Sequence, residues 1–284
     1  MTGFARLRSM LFVPGDRPER MEKALGLGAD ALILDLEDSV APAAKPGARS
    51  EVAAFLAAHP EANLWVRVNP LASGENEKDL DAIVAGRPDG VVLPKSEGGA
   101  SVDELVRRLA ARGNATARVM AIATETPAAI FGLGSYAGAK RLAALTWGAE
   151  DLPAAIGATA SRDEDGRLTP PYETARALTL FAAAAAAVAP IETVYPDFRD
   201  LDGLAACAAR ARRDGFVGMM AIHPAQVPVI NQAFTPSETE IAHARAVVAA
   251  FEARPEAGAL SLDGRMIDRP HLVQARRILA AAGD

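Results

Sequence analysis

Leu32-Ile-Leu-Asp-Leu-Glu-Asp38 is the stretch whose pattern decides the fold. It is short, rich in aliphatic side chains and bounded by polar residues, so it reads as a strand. Side chains alternate along a strand, which puts Leu32, Leu34 and Leu36 on one face and Ile33, Asp35 and Glu37 on the other. The uniformly apolar face suits packing beneath helices. The face that ends in carboxylates suits the inside of a barrel near its mouth.

Runs of the same kind occupy residues 9–15, 31–39, 64–70, 90–95, 118–126, 143–152, 191–196 and 218–224. Successive starts lie 22, 33, 26, 28, 25, 48 and 27 residues apart, room each time for a strand, a loop and a helix. Eight such units predict an α/β fold, a (β/α)8 TIM barrel. A doubly wound open sheet is the competing architecture, but no G-x-G-x-x-G follows the first strand.

Helix signals fit between the strands. Pro18 opens a first turn, Thr126-Pro127 reads as an N-cap followed by Pro, and Ser101-Val-Asp-Glu104 has capping-box spacing. The long sixth interval carries an insertion around 157–171 before an alanine-rich helix. Beyond the eighth strand, Thr235-Pro-Ser-Glu238 begins a helix to about Ala253, and a polar stretch, 254–264, leads into 265–283. The expected organisation is a barrel over 1–234. Residues 235–284 then form a C-terminal helix and tail that packs on the barrel or on a neighbouring subunit.

Composition narrows the function classes. Half of the 284 residues are hydrophobic and 23% are charged, which excludes an intrinsically disordered chain. Lys and Arg number 30 against 36 Asp and Glu, with no basic block, so no nucleic-acid partner is expected. The single Cys207 reads as buried filler, and its lack of a partner fits a reducing compartment. The apolar run 178–190 has 13 residues, short of the ~20 that a spanning helix needs. The expectation is a soluble cytoplasmic protein with no membrane partner.

In such barrels the reacting groups stand at the C-terminal ends of strands. Those ends supply Asp16 and Arg17, Glu37 and Asp38, Arg67 and Asn69, Lys95, Glu125, Glu150 and Asp151, and His223. Ala121, Ala123 and Glu125 are expected to share an inward face, as are Arg67 and Asn69. Several acids facing one Arg are costly unless a cation balances them. Hard oxygen donors without Cys point to Mg²⁺, or Mn²⁺, holding several waters. Simpler readings stand beside these. Asp151 suits a helix N-cap, Glu125 and Arg67 a structural ion pair, and Arg67 alone a core counter-ion. His223 suits a packed or capping histidine, and Arg17, Arg20 and Lys23 a solvated helix face.

Six short motifs occur in order: Phe12-Val-Pro-Gly-Asp-Arg-Pro18, Leu34-Asp-Leu-Glu-Asp-Ser39, Val66-Arg-Val-Asn-Pro70, Leu93-Pro-Lys95, Ala123-Thr-Glu-Thr-Pro127 and Trp147-Gly-Ala-Glu-Asp-Leu152. Together they resemble the citrate lyase β-subunit family, which is grouped with the HpcH/HpaI aldolases and the malyl- and citramalyl-CoA lyases. The resemblance implies a barrel of the phosphoenolpyruvate/pyruvate-binding type with a C-terminal helical extension. It also implies a Mg²⁺-dependent carbon–carbon lyase that cleaves, or forms by Claisen-type condensation, a hydroxyacyl thioester of CoA or a carrier protein. The products would be an acyl thioester and a 2-oxo acid.

By the same resemblance Glu125 and Asp151 bind the metal, Arg67 contacts substrate, and Glu37 and Asp38 hydrogen-bond the metal's waters. Asp268, in Gly264-Arg-Met-Ile-Asp268, matches an acid/base that can reach a neighbouring subunit's barrel, so a homo-oligomer, a trimer, is expected. Lys95 is counted with the substrate-binding groups, and Arg17, Arg20 and Lys23 would meet the phosphates of a CoA or carrier arm. Glu19 stands where a CoA-binding relative has a basic residue, which leaves the carrier open. A malyl-CoA-type thioesterase and a carrier-dependent β subunit of a citrate lyase complex are the alternatives.

Overall fold

The structure is a computed structural model and describes residues 6–164 and 166–283. Eight parallel strands close on one another in chain order. They are β1 (Ser9–Pro14), β2 (Ala31–Asp35), β3 (Leu64–Arg67), β4 (Gly90–Leu93), β5 (Arg118–Ile122), β6 (Leu142–Thr146), β7 (Ala189–Glu192) and β8 (Gly218–Ala221). Every strand begins within two residues of its expected start, but the ends fall one to six residues earlier than expected. Glu37, Lys95, Glu125 and Glu150 therefore stand on the loops that follow the strands.

Alternation sorts the strands into two apolar layers. Met10, Ile33, Trp65, Val92, Met120, Ile122, Ala144, Ile191 and Met220 fill the barrel interior. Leu32, Leu34 and Leu36 lie in the outer layer beneath the helices, as expected, together with Val66, Val91 and Leu93. Ala121 and Ala123 also lie in that outer layer, which corrects the expectation that they face inward. The chain leaves β5 at Ile122, so alternation counted back from Glu125 crosses non-strand residues and loses phase. Trp65 plugs the interior against Gly90, where a Cβ would lie 2.2 Å from its Cε3.

The helices around the barrel are α1 (Pro18–Leu25), α2 (Lys45–Ala58), α3 (Asn76–Ile83), α4 (Gly99–Ala111), α5 (Pro127–Gly132), α6 (Asp151–Ile156), α7 (Pro170–Ala185), α8 (Leu201–Asp214) and α9 (Gln226–Phe234). Thr126 caps α5 as expected, its hydroxyl accepting from Ala129 N at 3.2 Å. Ser101 caps nothing. The chain turns at Gly98, where φ is +144°, so α4 starts earlier; Ser101 Oγ accepts from Glu97 N, and Glu104 pairs with Arg107 and Arg108. The alanine-rich segment is α7, and no helix of the described residues is long and apolar enough to cross a membrane. Cys207 is partly buried on α8, and burial pushes its thiol up to about 11, away from nucleophilic use.

The C-terminal segment holds α10 (Glu238–Glu252), β9 (Ala259–Leu262), β10 (Arg265–Asp268) and α11 (Arg269–Ala282). Ser237 and Glu240 form a capping box at the start of α10. The antiparallel β9–β10 hairpin was not expected. It turns on Asp263 and Gly264, with φ of +48° and +76°, the two left-handed residues that a tight hairpin needs. Val247, Phe251, Ile267 and Leu272 make a small apolar cluster of their own.

Candidate active site

Arg67 is the last residue of β3, and its register with Asp35 and Val92 turns it into the barrel. Its Nε and Nη2 each donate to Asp35 at 2.7 Å, and its guanidinium lies 4.7 Å above the Phe12 ring. Asp35 is 1% exposed. Burial alone would raise its pKa, but the Arg67 guanidinium, with the backbone N–H groups of Glu37 and Ser39, holds it below its ordinary value. Arg67 is thus a counter-ion to Asp35 whose remaining edge faces two further acids. Its Nη1 lies 3.3 Å from Glu37 Oε2 and 3.9 Å from Asp38 Oδ2. Among the described residues no ion pair joins it to Glu125, so the structural-pair reading of those two residues is set aside.

Glu37 and Glu125 are each 4% exposed, and burial pushes them up to about 7 and about 8. Between them stands Lys95, a non-glycine residue at φ +50°. That backbone costs on the order of 1–3 kcal/mol and persists only where its surroundings demand it. Here its N–H donates to Glu125 Oε2, while its Nζ lies 3.3 Å from Glu37 Oε1 and 3.2 Å from Asp151 Oδ1. Burial works against the ammonium, yet Glu37, Glu125 and Asp151 together keep it charged. Asp151 is the first residue of α6. The N-cap position is Glu150, so the capping reading of Asp151 gives way to a carboxylate turned toward Lys95.

A continuous chain of contacts therefore runs from Arg67 through Glu37 and Lys95 to Asp151 and Glu125. Among the described residues, the ion pairs of Asp35, Glu37 and Asp151 and the contact of Glu125 go to Arg67 and Lys95, so the mouth is short of positive charge. Glu37 Oε2 and Asp16 Oδ1 are buried without a hydrogen-bond partner. Both features fit a cation with bound water. Among the described residues no three His, Cys, Asp or Glu side chains converge as a complete metal cage. Two carboxylates with the remaining positions left to water and ligand oxygen is the way Mg²⁺ is held.

Other expected residues go elsewhere. Asn69 does not share the Arg67 face. It turns outward to Lys45 Nζ at 2.7 Å and Asp79 Oδ2 at 2.7 Å, because those buried charges on α2 and α3 need partners. His223 is a packed histidine and not a helix cap, the N-cap of α9 being Ala225: its Nδ1 accepts from Ala225 N and its ring stacks 4.8 Å from Phe198. Arg17 lies 3.7 Å from Asp16, and Arg17, Arg20 and Lys23 are exposed. Asp268 N-caps α11 and pairs with His271; among the described residues none of its hydrogen bonds reaches the barrel. Glu192, at the end of β7, was missed. It is buried and accepts from Trp147 Nε1 and from Arg176 Nε at 2.7 Å; a lone acid closing an apolar strand was its signal. A groove of about 620 Å³ at the other end of the barrel is lined by Arg8, Arg212, Thr235 and Glu240, whose charges are already paired.

A family model described as HpcH/HpaI aldolase/citrate lyase matches residues 8–224, the whole barrel through the loop after β8. The chain belongs to this family. A citrate lyase subunit beta-like protein of Mycobacterium tuberculosis is 38% identical over 274 residues, covering 96% of this chain and 95% of its own. A (3S)-malyl-CoA thioesterase of Cereibacter sphaeroides is 34% identical, covering 97% and 94%. The crystal structure of protein CitE from M. tuberculosis with magnesium, acetoacetate and coenzyme A superposes with a TM-score of 0.84 at 37% identity, covering 99% of both chains. At that coverage the similarity takes in α10, α11 and the hairpin as well as the barrel.

Proposed function

We propose that this chain is a Mg²⁺-dependent carbon–carbon lyase acting on a hydroxyacyl thioester of the citramalyl-, malyl- or citryl-CoA type. It yields an acyl thioester and a 2-oxo acid, and runs as a condensation in reverse. The observation that carries this reading is the meeting of Glu125, Asp151, Glu37, Lys95 and Arg67 at one mouth with too little positive charge of their own. The relative crystallised with magnesium, acetoacetate and coenzyme A supports it.

Glu125 and Asp151 hold Mg²⁺, which supplies Lewis-acid stabilisation of oxygen that gains charge. Glu37 and Asp38 would accept hydrogen bonds from waters beside it, a task for which Glu37 Oε2 is suited, being ion-paired with Arg67 Nη1 but without a hydrogen bond. Arg67 offers the Nη1 edge to a substrate oxygen, and its pairing with Asp35 keeps that edge aimed before substrate arrives. Lys95 Nζ stands where a second substrate oxygen can replace a carboxylate neighbour. On cleavage the bond between the carbinol carbon and the acyl α-carbon breaks, the hydroxyl loses its proton and the α-carbon gains one. Asp268 of a neighbouring copy exchanges the proton at that α-carbon. Within its own chain that carboxylate is held at the start of α11 by its hydrogen bonds with His271. Arg17, Arg20 and Lys23 meet the phosphates of the thioester carrier, and the working form is a homo-oligomer, a trimer.

A hydrolase is the second reading, favoured by the 34% identity to a malyl-CoA thioesterase. Incubation with Mg²⁺ and malyl-, citramalyl- and citryl-CoA separates the two. A 2-oxo acid with acyl-CoA supports the lyase; free CoA without a 2-oxo acid supports hydrolysis. No reaction until a carrier protein is added supports a subunit of a citrate lyase complex.

A further inference from the structure

The geometry points to Thr124 as a positioning residue that fixes the distance between Glu125 and Asp151, an inference that rests on the metal-site reading above. The β5–β6 ladder ends with Ala123 N donating to Thr146 O at 2.8 Å. One residue further, the fully buried Thr124 carries the connection on with its side chain. Its hydroxyl accepts from Gly148 N at 3.0 Å and lies 3.3 Å from Gly148 O, to which it donates. One hydroxyl thus staples the loop that carries Glu125 to the loop that leads, three residues later, to Asp151.

Gly148 completes the device. A Cβ there would lie 2.5 Å from Glu125 Cγ and 3.2 Å from Ile122 Cγ2, so only glycine lets Glu125 stay where Lys95 N meets it. The loop backbone is therefore pressed against one carboxylate while its continuation presents the other. Binding constellations tolerate only about 0.5 Å of drift. Loss of a group that orients metal ligands typically costs 10–100-fold in metal affinity.

Thr124→Val keeps the branched shape and removes the hydroxyl; Thr124→Ser keeps the hydroxyl. The probe is Mn²⁺, titrated into the full chain and followed by the paramagnetic resonance signal of the free ion, with thermal melting of each variant without metal. Thr124→Val is expected to weaken Mn²⁺ binding about tenfold or more while the protein still melts cooperatively, at a temperature lowered by the loss of two hydrogen bonds to Gly148, and Thr124→Ser to restore most of the affinity. Wild-type affinity in Thr124→Val, or equal losses in the Val and Ser variants, overturns the assignment. Should Thr124→Val not fold, Gly148→Ala decides: its Cβ displaces Glu125, so unchanged Mn²⁺ binding overturns the proposal. Glu125→Gln separates the two levels. If it binds Mn²⁺ like wild type, the metal site itself fails and this inference with it. If it loses the ion while Thr124→Val does not, the role of Thr124 alone is refuted.

Discussion

Arg67 and Asp35 meet edge to edge at the inner end of the mouth, Nε to Oδ1 and Nη2 to Oδ2 both at 2.7 Å, leaving Nη1 alone turned toward Glu37. A forked guanidinium fits a carboxylate in this way and an ammonium does not. The pair fixes the direction of the remaining donor edge, the one proposed to meet substrate.

Arg67→Lys is expected to retain the charge and lose the aim. Its kcat should fall by about 10²–10³, the range seen when one such donor is removed, with the fold kept. Arg67→Ala goes further and leaves the buried Asp35 without its counter-ion, which costs about 3–5 kcal/mol. Steady-state kinetics together with urea denaturation of both variants checks this, and wild-type turnover in Arg67→Lys would return Arg67 to a purely structural place.

The same pair makes stability depend on acid. Asp35 sits below its ordinary value of 3.8 in the folded chain, so its contribution is complete above that value and is lost as pH falls through the folded one. The urea midpoint should therefore drop below about pH 4, and Asp35→Asn, though less stable at neutral pH, should show less of that acid-side decline. Parallel pH curves for the two proteins would contradict it.

Glu125→Gln and Asp151→Asn should each lose bound divalent ion and activity together. Exhaustive chelation of the wild-type protein should abolish turnover, and added Mg²⁺ or Mn²⁺ should restore it. Metal analysis alongside rate measurement reads both, and full activity in the chelated protein would refute the two assignments.

Asp268→Asn should stop exchange of the acyl α-proton for solvent deuterium while Mn²⁺ binding is unchanged. Proton resonance of the acyl thioester in heavy water follows the exchange directly. Undiminished exchange would remove Asp268 from the chemistry.

Gly90→Ala tests the barrel interior rather than the site. The added methyl meets the Trp65 ring at 2.2 Å, so the variant should lose about 1–3 kcal/mol. Urea midpoints measure the loss, and an unchanged midpoint would show that the interior around Trp65 has slack.

The fold was legible because each strand is a closed unit: a short apolar run, a carboxyl-end loop and a helix start, repeated eight times. The face of β2 was legible too, since its alternation stays within the strand, and Leu32, Leu34 and Leu36 lie where that alternation puts them. At Glu125 the same method failed, because alternation means nothing once the strand has ended at Ile122. Asn69 was misplaced because its partners, Lys45 and Asp79, come from helices whose packing no local pattern discloses. The hairpin at Asp263-Gly264 carried a readable turn signal that a helix-and-tail expectation passed over. Thr124 carried none: a hydroxyl that bonds the backbone of a residue 24 positions away is visible only in three dimensions.

The sharpest trial is a crystal of the protein soaked with Mn²⁺ and a small 2-oxo acid, with the ion located by its anomalous scattering. A peak bridged by the carboxylates of Glu125 and Asp151, with the oxo acid reaching Arg67 Nη1, is the predicted result. A peak elsewhere, or none at saturating Mn²⁺, would contradict the account at its root.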